Sequence, residues 1–416
     1  MPAPTLRVFV DFDSDTAFET NPLILGSATK GILGTNRLGS GTLPVEITNL
    51  VSKVSIRRGR NRITSKFEFG EAMVSLYDQN GDWNPNNPNG AYYPDLVPLR
   101  QIIIYATYLG VDYYLFSGFI TTYDNSFRQG NDDLSNVMLK CVDGFKLLAG
   151  SSVTTVAGAP AGQLSGARVN AILDAIAWPQ SLRIVDTGDS TLQADPGTSR
   201  TALEALQTVE NSEFGGVFVD SQGEVRFISR TNLIKAPATS LYSFSDLGGG
   251  ALTYTNAVVA FDDTTILNSV SVTRSGGTTQ TASDQTSINT YFLHSGKRDG
   301  ILVQTDTEAL NQAQGILATR KDPEVRIDSI QLNLYDDIDP NKPKAGVDLD
   351  LLEGITVTKA MPGNTSVTQK SLVNGIHHDI TKSSWMTTLF TAEPLLAGFV
   401  LDSAISGIIG TDVLAY

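Results

Sequence analysis

The sequence predicts a mainly β protein with a small α+β unit set between two mostly β regions. Three observations predict it. Runs rich in β-branched and aromatic residues, or alternating with period two, recur along most of the chain between clusters of turn residues. Convincing helical periodicity is confined to three segments, two of them adjacent in the middle. At 416 residues the chain exceeds what one core usually serves, which gives roughly two to four domains.

In chain order, strands are expected at Leu6–Phe12, Ile102–Tyr108, Val137–Val142, Asn268–Thr273 and Ile327–Leu334. Two hairpins are expected: Tyr108 returns through Gly110-Val111-Asp112 into Tyr113–Phe116, and Val217–Val219 returns through Asp220-Ser221-Gln222-Gly223 into Val225–Ile228. The first helix is expected over Ala167–Ala177, capped by Ser165, with Val169, Ile172, Leu173 and Ile176 on one face and Trp178-Pro179 as its stop. The second, Arg200–Asn211, opens on Thr201-Ala202-Leu203-Glu204, which has capping-box spacing. The third, Thr307–Arg320, aligns Leu310, Ala313 and Leu317 and ends before Asp322-Pro323. The small polar stretch 151–162 and the run Gly248-Gly249-Gly250 mark connectors. The expected divisions are 1–45, an N-terminal strand and arm; 46–150, a first β domain; 151–240, the α+β domain; 241–395, a second β domain; and 396–416, a C-terminal arm.

The two arms share an internal echo. Leu25–Leu38 matches Leu401–Leu414 at more than half its positions. Two copies do not make a solenoid. Either both are turn-rich segments of shared composition, or they are matching arms whose apolar pairs, Ile32-Leu33 and Ile408-Ile409, dock on a neighbour.

Composition excludes several function classes. The hydrophobic fraction of 41% is too high for wholesale disorder, and no run approaches the ~18 apolar residues of a spanning helix. No signal-peptide pattern opens the chain. Cys141, the single cysteine, cannot form an internal disulfide or a multi-thiolate zinc site; the alternation around it predicts a buried, inert thiol. A net charge of −14 argues against a protein built to grip nucleic acid, and would suit a surface that DNA passes without sticking.

No catalytic centre or cofactor site emerges. His377 and His378 are neighbours in an expected strand, so they point to opposite faces and cannot chelate one ion together; the third histidine is His294. There is no Gly-x-Ser-x-Gly elbow and no phosphate-cradling loop. Asp11–Asp15 and Asp78–Asn84 imitate the start of a calcium loop but lack its glycine and distal glutamate, leaving an Asx-rich turn or a looser calcium site at Asp78, Asn80 and Asp82. The strongest charge feature is the basic run Arg57, Arg58, Arg60, Arg62, flanked by Lys53 and Lys66. It reads as a solvated hairpin tip or as a patch that meets an acidic subunit face.

Several phrases, taken in order, carry a resemblance: Val54–Arg60, Gly70–Pro85, Tyr92–Arg100, Phe116–Ile120 and Cys141–Phe145. This stretch resembles the N-terminal region of minor tail proteins of long-tailed phages, especially those infecting actinobacteria, a family similar to baseplate hub and tail-associated proteins. The resemblance implies two tube-like β-barrel domains per chain, the second over 241–395, and assembly as a homotrimer. It further implies a non-enzymatic subunit of the virion tail tip, assembled in the host cytoplasm. That subunit would join a sixfold tail to a threefold tip around the DNA channel, beside a distal tail protein ring, other minor tail proteins and the tape measure protein. No cofactor and no sequence-specific nucleic acid are implied. The Phe18–Val45 stretch departs from the family. The alternative reading is a receptor- or carbohydrate-binding tail module using Trp83, Tyr92 and Tyr93.

Overall fold

The computed structural model describes residues 3–12, 44–61, 66–126, 136–335 and 339–392. The arm residues Ile32, Leu33, Ile408 and Ile409, and Arg62 of the basic run, lie outside them.

The first half supplies six strands: β1 (Thr5–Asp11), β2 (Val51–Asn61), β3 (Glu71–Tyr77), β4 (Arg100–Tyr108), β5 (Val111–Ser126) and β6 (Asn136–Val142). Their order in the sheet is β2-β3-β6-β5-β4-β1, antiparallel throughout. Alternation decides the faces. Val54, Ile56, Val74, Leu76, Leu139 and Cys141 point inward and are buried, while the residues between them are largely open to solvent. The β4–β5 turn lies one residue earlier than expected, at Leu109-Gly110, because both residues take positive φ (50° and 81°), the geometry a two-residue hairpin needs.

The middle of the chain combines helices with a small sheet. Helix α1 (Phe145–Gly150) leads to α2 (Ser165–Ala175) and α3 (Ala202–Glu213), with a small sheet of β7 (Arg183–Val185), β8 (Gly216–Val219) and β9 (Val225–Ile228), then α4 (Arg230–Lys235). Thr201 and Glu204 form the expected capping box of α3. Ser165 does not cap α2; it is the first helical residue, and its buried hydroxyl donates to Glu213 Oε2 at 2.8 Å.

The second half supplies β10 (Tyr242–Ser245), β11 (Asn256–Ala260), an insertion, then β15 (Arg326–Asn333), α7 (Asn341–Asp348), β16 (Gly354–Met361), β17 (Thr365–Thr381) and β18 (Ser384–Thr391). The insertion contains β12 (Ser269–Arg274), β13 (Gln280–Ser283), α5 (Gln285–Tyr291), β14 (Ser295–Ile301) and α6 (Asp306–Arg320). It has its own core of Val270, Val272, Ala282, Ile301, Val303, Ala309, Ala313 and Ile316. The buried face of α6 is Ala309, Gln312, Ala313 and Ile316, so the expected Leu310/Leu317 stripe is rotated to a half-buried flank.

The order β11-β15-β18-β17-β16-β10 repeats that of the first half, position for position. Four consecutive antiparallel pairings recur; only the last differs, since β10 runs parallel to β16 whereas β1 is antiparallel to β4. Each set has one long strand, β5 or β17, with a register shift against its following strand at Ile120/Thr122 or Val373/Gly375. No closed barrel is found among the described residues. The two sets are instead fused into one 14-stranded sheet, because the 17-residue β17 is long enough to carry two partners along one edge. Residues 365–372 pair with β16, and residues 375–381 pair with β2 of the first half.

Candidate assembly surface

The joint between the halves is a strand pairing, β17 against β2. Ile376, His378 and Ile380 of β17 face Arg58, Ile56 and Val54 of β2 on the buried side; His377, Asp379 and Thr381 face Arg57, Ser55 and Lys53 on the open side. Gly59 meets Gly375 here. A Cβ on Gly59 would lie 2.5 Å from the Gly375 Cα, and Gly59 has φ +146°, so this close approach needs glycine.

Because the basic run lies on a strand in mid-sheet rather than at a hairpin tip, its members divide by face. Arg57 is exposed on the open side, opposite Glu71 and His377. Arg58 is buried, and its Nη2 donates to Asp350 Oδ1 at 2.7 Å. The other Asp350 oxygen accepts the Ser221 N–H at 2.9 Å, and Oδ1 also accepts the Leu351 N–H at 2.7 Å. One carboxylate thus ties β2, the β8–β9 turn and the segment before β16 together. Burial pushes Asp350 up, but the Arg58 guanidinium and the N–H donors outweigh it and hold the carboxyl below its usual value. Nearby, burial followed by the Asp350 charge pushes Asp220 up to about 7, and burial does the same to Glu353. Arg60 reaches Glu210 of α3 at 3.8 Å and lies over the Phe67 ring. Arg58 and Arg60 therefore contact acidic groups of their own chain.

The two adjacent histidines separate as the strand pattern requires. The His377 ring stands 3.1 Å from Ser55 Oγ on the open side. His378 is fully buried beside Thr387 and Trp385, and burial pushes it down to about 3, so it is neutral.

The open side is a continuous face across β11, β15, β18, β17, β2, β3, β6 and β5. Among the described residues its charged side chains include Lys53, Arg57 and Lys140 against Glu71, Asp124 and Asp379, with Lys382 lying over the exposed Tyr77 ring. They sit beside one another: Lys53 to Asp379 at 3.8 Å, Lys140 to Asp124 at 2.6 Å, and Arg57 opposite Glu71 in register. Ser, Thr, Asn and Gln fill most other positions, with Met73, Tyr77, Met138, Val258 and Phe390 exposed among them. The chain's net charge of −14 does not accumulate here. Sequence reasoning missed this face because it is assembled from strands more than 300 residues apart.

Trp83 is fully buried and packs on Phe12, Tyr92 and Tyr123. Asp78 beneath it is committed to the Asp82 and Trp83 N–H groups, and Asp82 accepts from Ala91. The segment is a packed Asx-rich turn, with only Tyr93 of the three aromatics exposed. Cys141 is buried on β6, and burial raises its thiol far above the usual value. Among the described residues no group of three or more His, Cys, Asp or Glu side chains is placed to hold a metal ion, and no helix is long and apolar enough to cross a membrane.

Comparison with protein-family models and with curated proteins finds no match to this chain. Comparison with solved structures does. The tail protein from Neisseria meningitidis MC58 superposes with a TM-score of 0.57 at 11% identity, over 95% of this chain and 98% of that one. The 43 kDa tail protein of prophage MuSo2 from Shewanella oneidensis gives 0.53 at 12% identity, over 85% and 94%. The chain has the fold of these tail proteins along almost its full length.

Proposed function

We propose that this chain is a structural subunit of a phage tail tip, and that 46–150 and 241–395 act as two copies of one tube-like module. The observation that carries this reading is the six-strand order shared by the two halves. One chain with two alike modules offers two near-equivalent positions, so three copies offer six, and a threefold ring can seat on a sixfold neighbour. The fold shared with the two tail proteins supports the tail assignment.

In this reading the ring is a homotrimer around the DNA channel, next to a distal tail protein ring, other minor tail proteins and the tape measure protein, as in the long-tailed phages of the sequence resemblance. The open sheet face lines the channel. Its alternating charges offer phosphate neither a continuous attractive strip nor net repulsion, which gives free DNA passage a physical basis.

Cryo-EM of the purified full chain is the test. The expected image is a ring of three copies with six similar lobes around an opening. A particle that stays monomeric at every concentration, or whose open sheet face points outward, overturns the proposal.

A further inference from the structure

We infer that the edge of β11 in one copy pairs with the last residues of β5 in a second copy, repeating between subunits the β2–β17 joint made within each chain. This rests on the ring reading above and deepens it, since it names the strands and the register that close the ring.

The argument starts from equivalence. In the shared order, β2 matches β11 and β17 matches β5. Within the chain, β2 has a partner on each side, β3 and β17. Its equivalent β11 has only β15; among the described residues its other edge carries no partner. Likewise β17 pairs along residues 375–381 with β18 on one side and β2 on the other. Its equivalent stretch, Thr122–Ser126 of β5, pairs with β6 on one side, while β4 stops at Ile120 on the other. The chain thus ends in two half-joints, each the counterpart of one side of a joint it already makes.

The chemistry of the β11 edge agrees. Asn256-Ala257-Val258-Val259-Ala260 carries no charge and no proline, and Val258 and the adjoining Phe261 are exposed. Strand edges that stay free in solution are normally defended by charge or proline, and an undefended one pairs with another strand. The outer edge of β1, by contrast, is partly covered, since Phe9 and Val10 pair with Glu46 and Val45.

The register follows from the internal joint. Across the first half, Thr122, Lys140, Met73 and Ser55 stand in one row; across the second, Gly375, Phe390, Ser329 and Val258 do. Ser55 therefore corresponds to Val258, and Asp379 and His377 correspond to Ser126 and Asp124. Since Ser55 faces Asp379 and Arg57 faces His377, Val258 is placed opposite Ser126 of the neighbour and Ala260 opposite its Asp124.

The experiment uses the full chain with Ala260→Cys and Asp124→Cys together, oxidised with copper-phenanthroline, beside each single variant; buried Cys141 stays out of reach. Expected is a covalent ladder that ends at three copies for the double variant and no ladder in either single variant. Mass photometry of the unoxidised double variant separates the failures. Rings that form without cross-linking overturn this joint and leave the ring reading standing. Absence of both rings and cross-links overturns both. A ladder running past three supports the strand pairing and overturns threefold closure.

Discussion

Arg58→Ala tests whether the buried Arg58–Asp350 pair fastens the three parts of the molecule. The side chains are 3% and 13% exposed, so solvent screening is small. Removing one partner of a buried pair costs about 3–5 kcal/mol, mostly from the charge left behind. Asp350 keeps the Ser221 and Leu351 N–H donors, which places the loss near the lower end, about 3 kcal/mol or roughly a hundredfold in the folding constant. The assay is urea unfolding followed by tryptophan fluorescence, comparing midpoints and slopes because a chain with more than one core need not unfold in one step. Without Arg58, burial dominates at Asp350 and raises its folded-state value above the unfolded one. The deficit must therefore shrink as pH is lowered, since the orphaned carboxylate can protonate. Arg58 Nε and Nη1 are buried without hydrogen-bond partners, so Arg58→Met combined with Asp350→Asn recovers part of the loss. A deficit under about 1 kcal/mol, or one indifferent to pH, refutes the fastening role.

Other outcomes follow from the same structure. Gly59→Ala forces a side chain into glycine-only backbone against Gly375 and is expected to cost about 1–3 kcal/mol in denaturant unfolding; a neutral result would mean the joint relaxes freely. Asp143, Asp220 and Glu353 are each pushed up to about 7, chiefly by burial. Their contribution is full below the unfolded value of about 4 and lost as pH rises through about 7, while Asp350, held low by Arg58, loses its contribution toward the acid end. The melting temperature is therefore expected to peak between those values, and a steady climb toward pH 8 in scanning fluorimetry would contradict this. Trp83→Ala empties a fully buried site and is expected to cost about 3–5 kcal/mol; a fully stable variant would show that the turn does not depend on this packing. Cys141 should stay unlabelled by a thiol reagent in the native protein and label fully in denaturant, so rapid native labelling would place it at a surface.

Much of the architecture was legible before any tertiary contact. Period-two alternation located the main strands, put Cys141 inside and set His377 and His378 on opposite faces, the Thr201-x-x-Glu204 spacing placed the start of α3, and Asp220 through Gly223 marked the middle hairpin. These features are local, since each depends on residues within a few positions of one another. The α6 stripe was misplaced because Ala309 and Ile316 pack on the insertion sheet, and their neighbours alone do not say which flank a sheet will cover.

Local pattern established the mainly β character and the helices α2 and α3. Tertiary contacts make the two β regions repeat one strand order, fuse them through β2 and β17, and split one basic run between two opposite faces. Strand order and register come from hydrogen bonds between segments far apart in the chain, such as Arg57 beside His377, and no short-range pattern encodes which distant strand will be the partner.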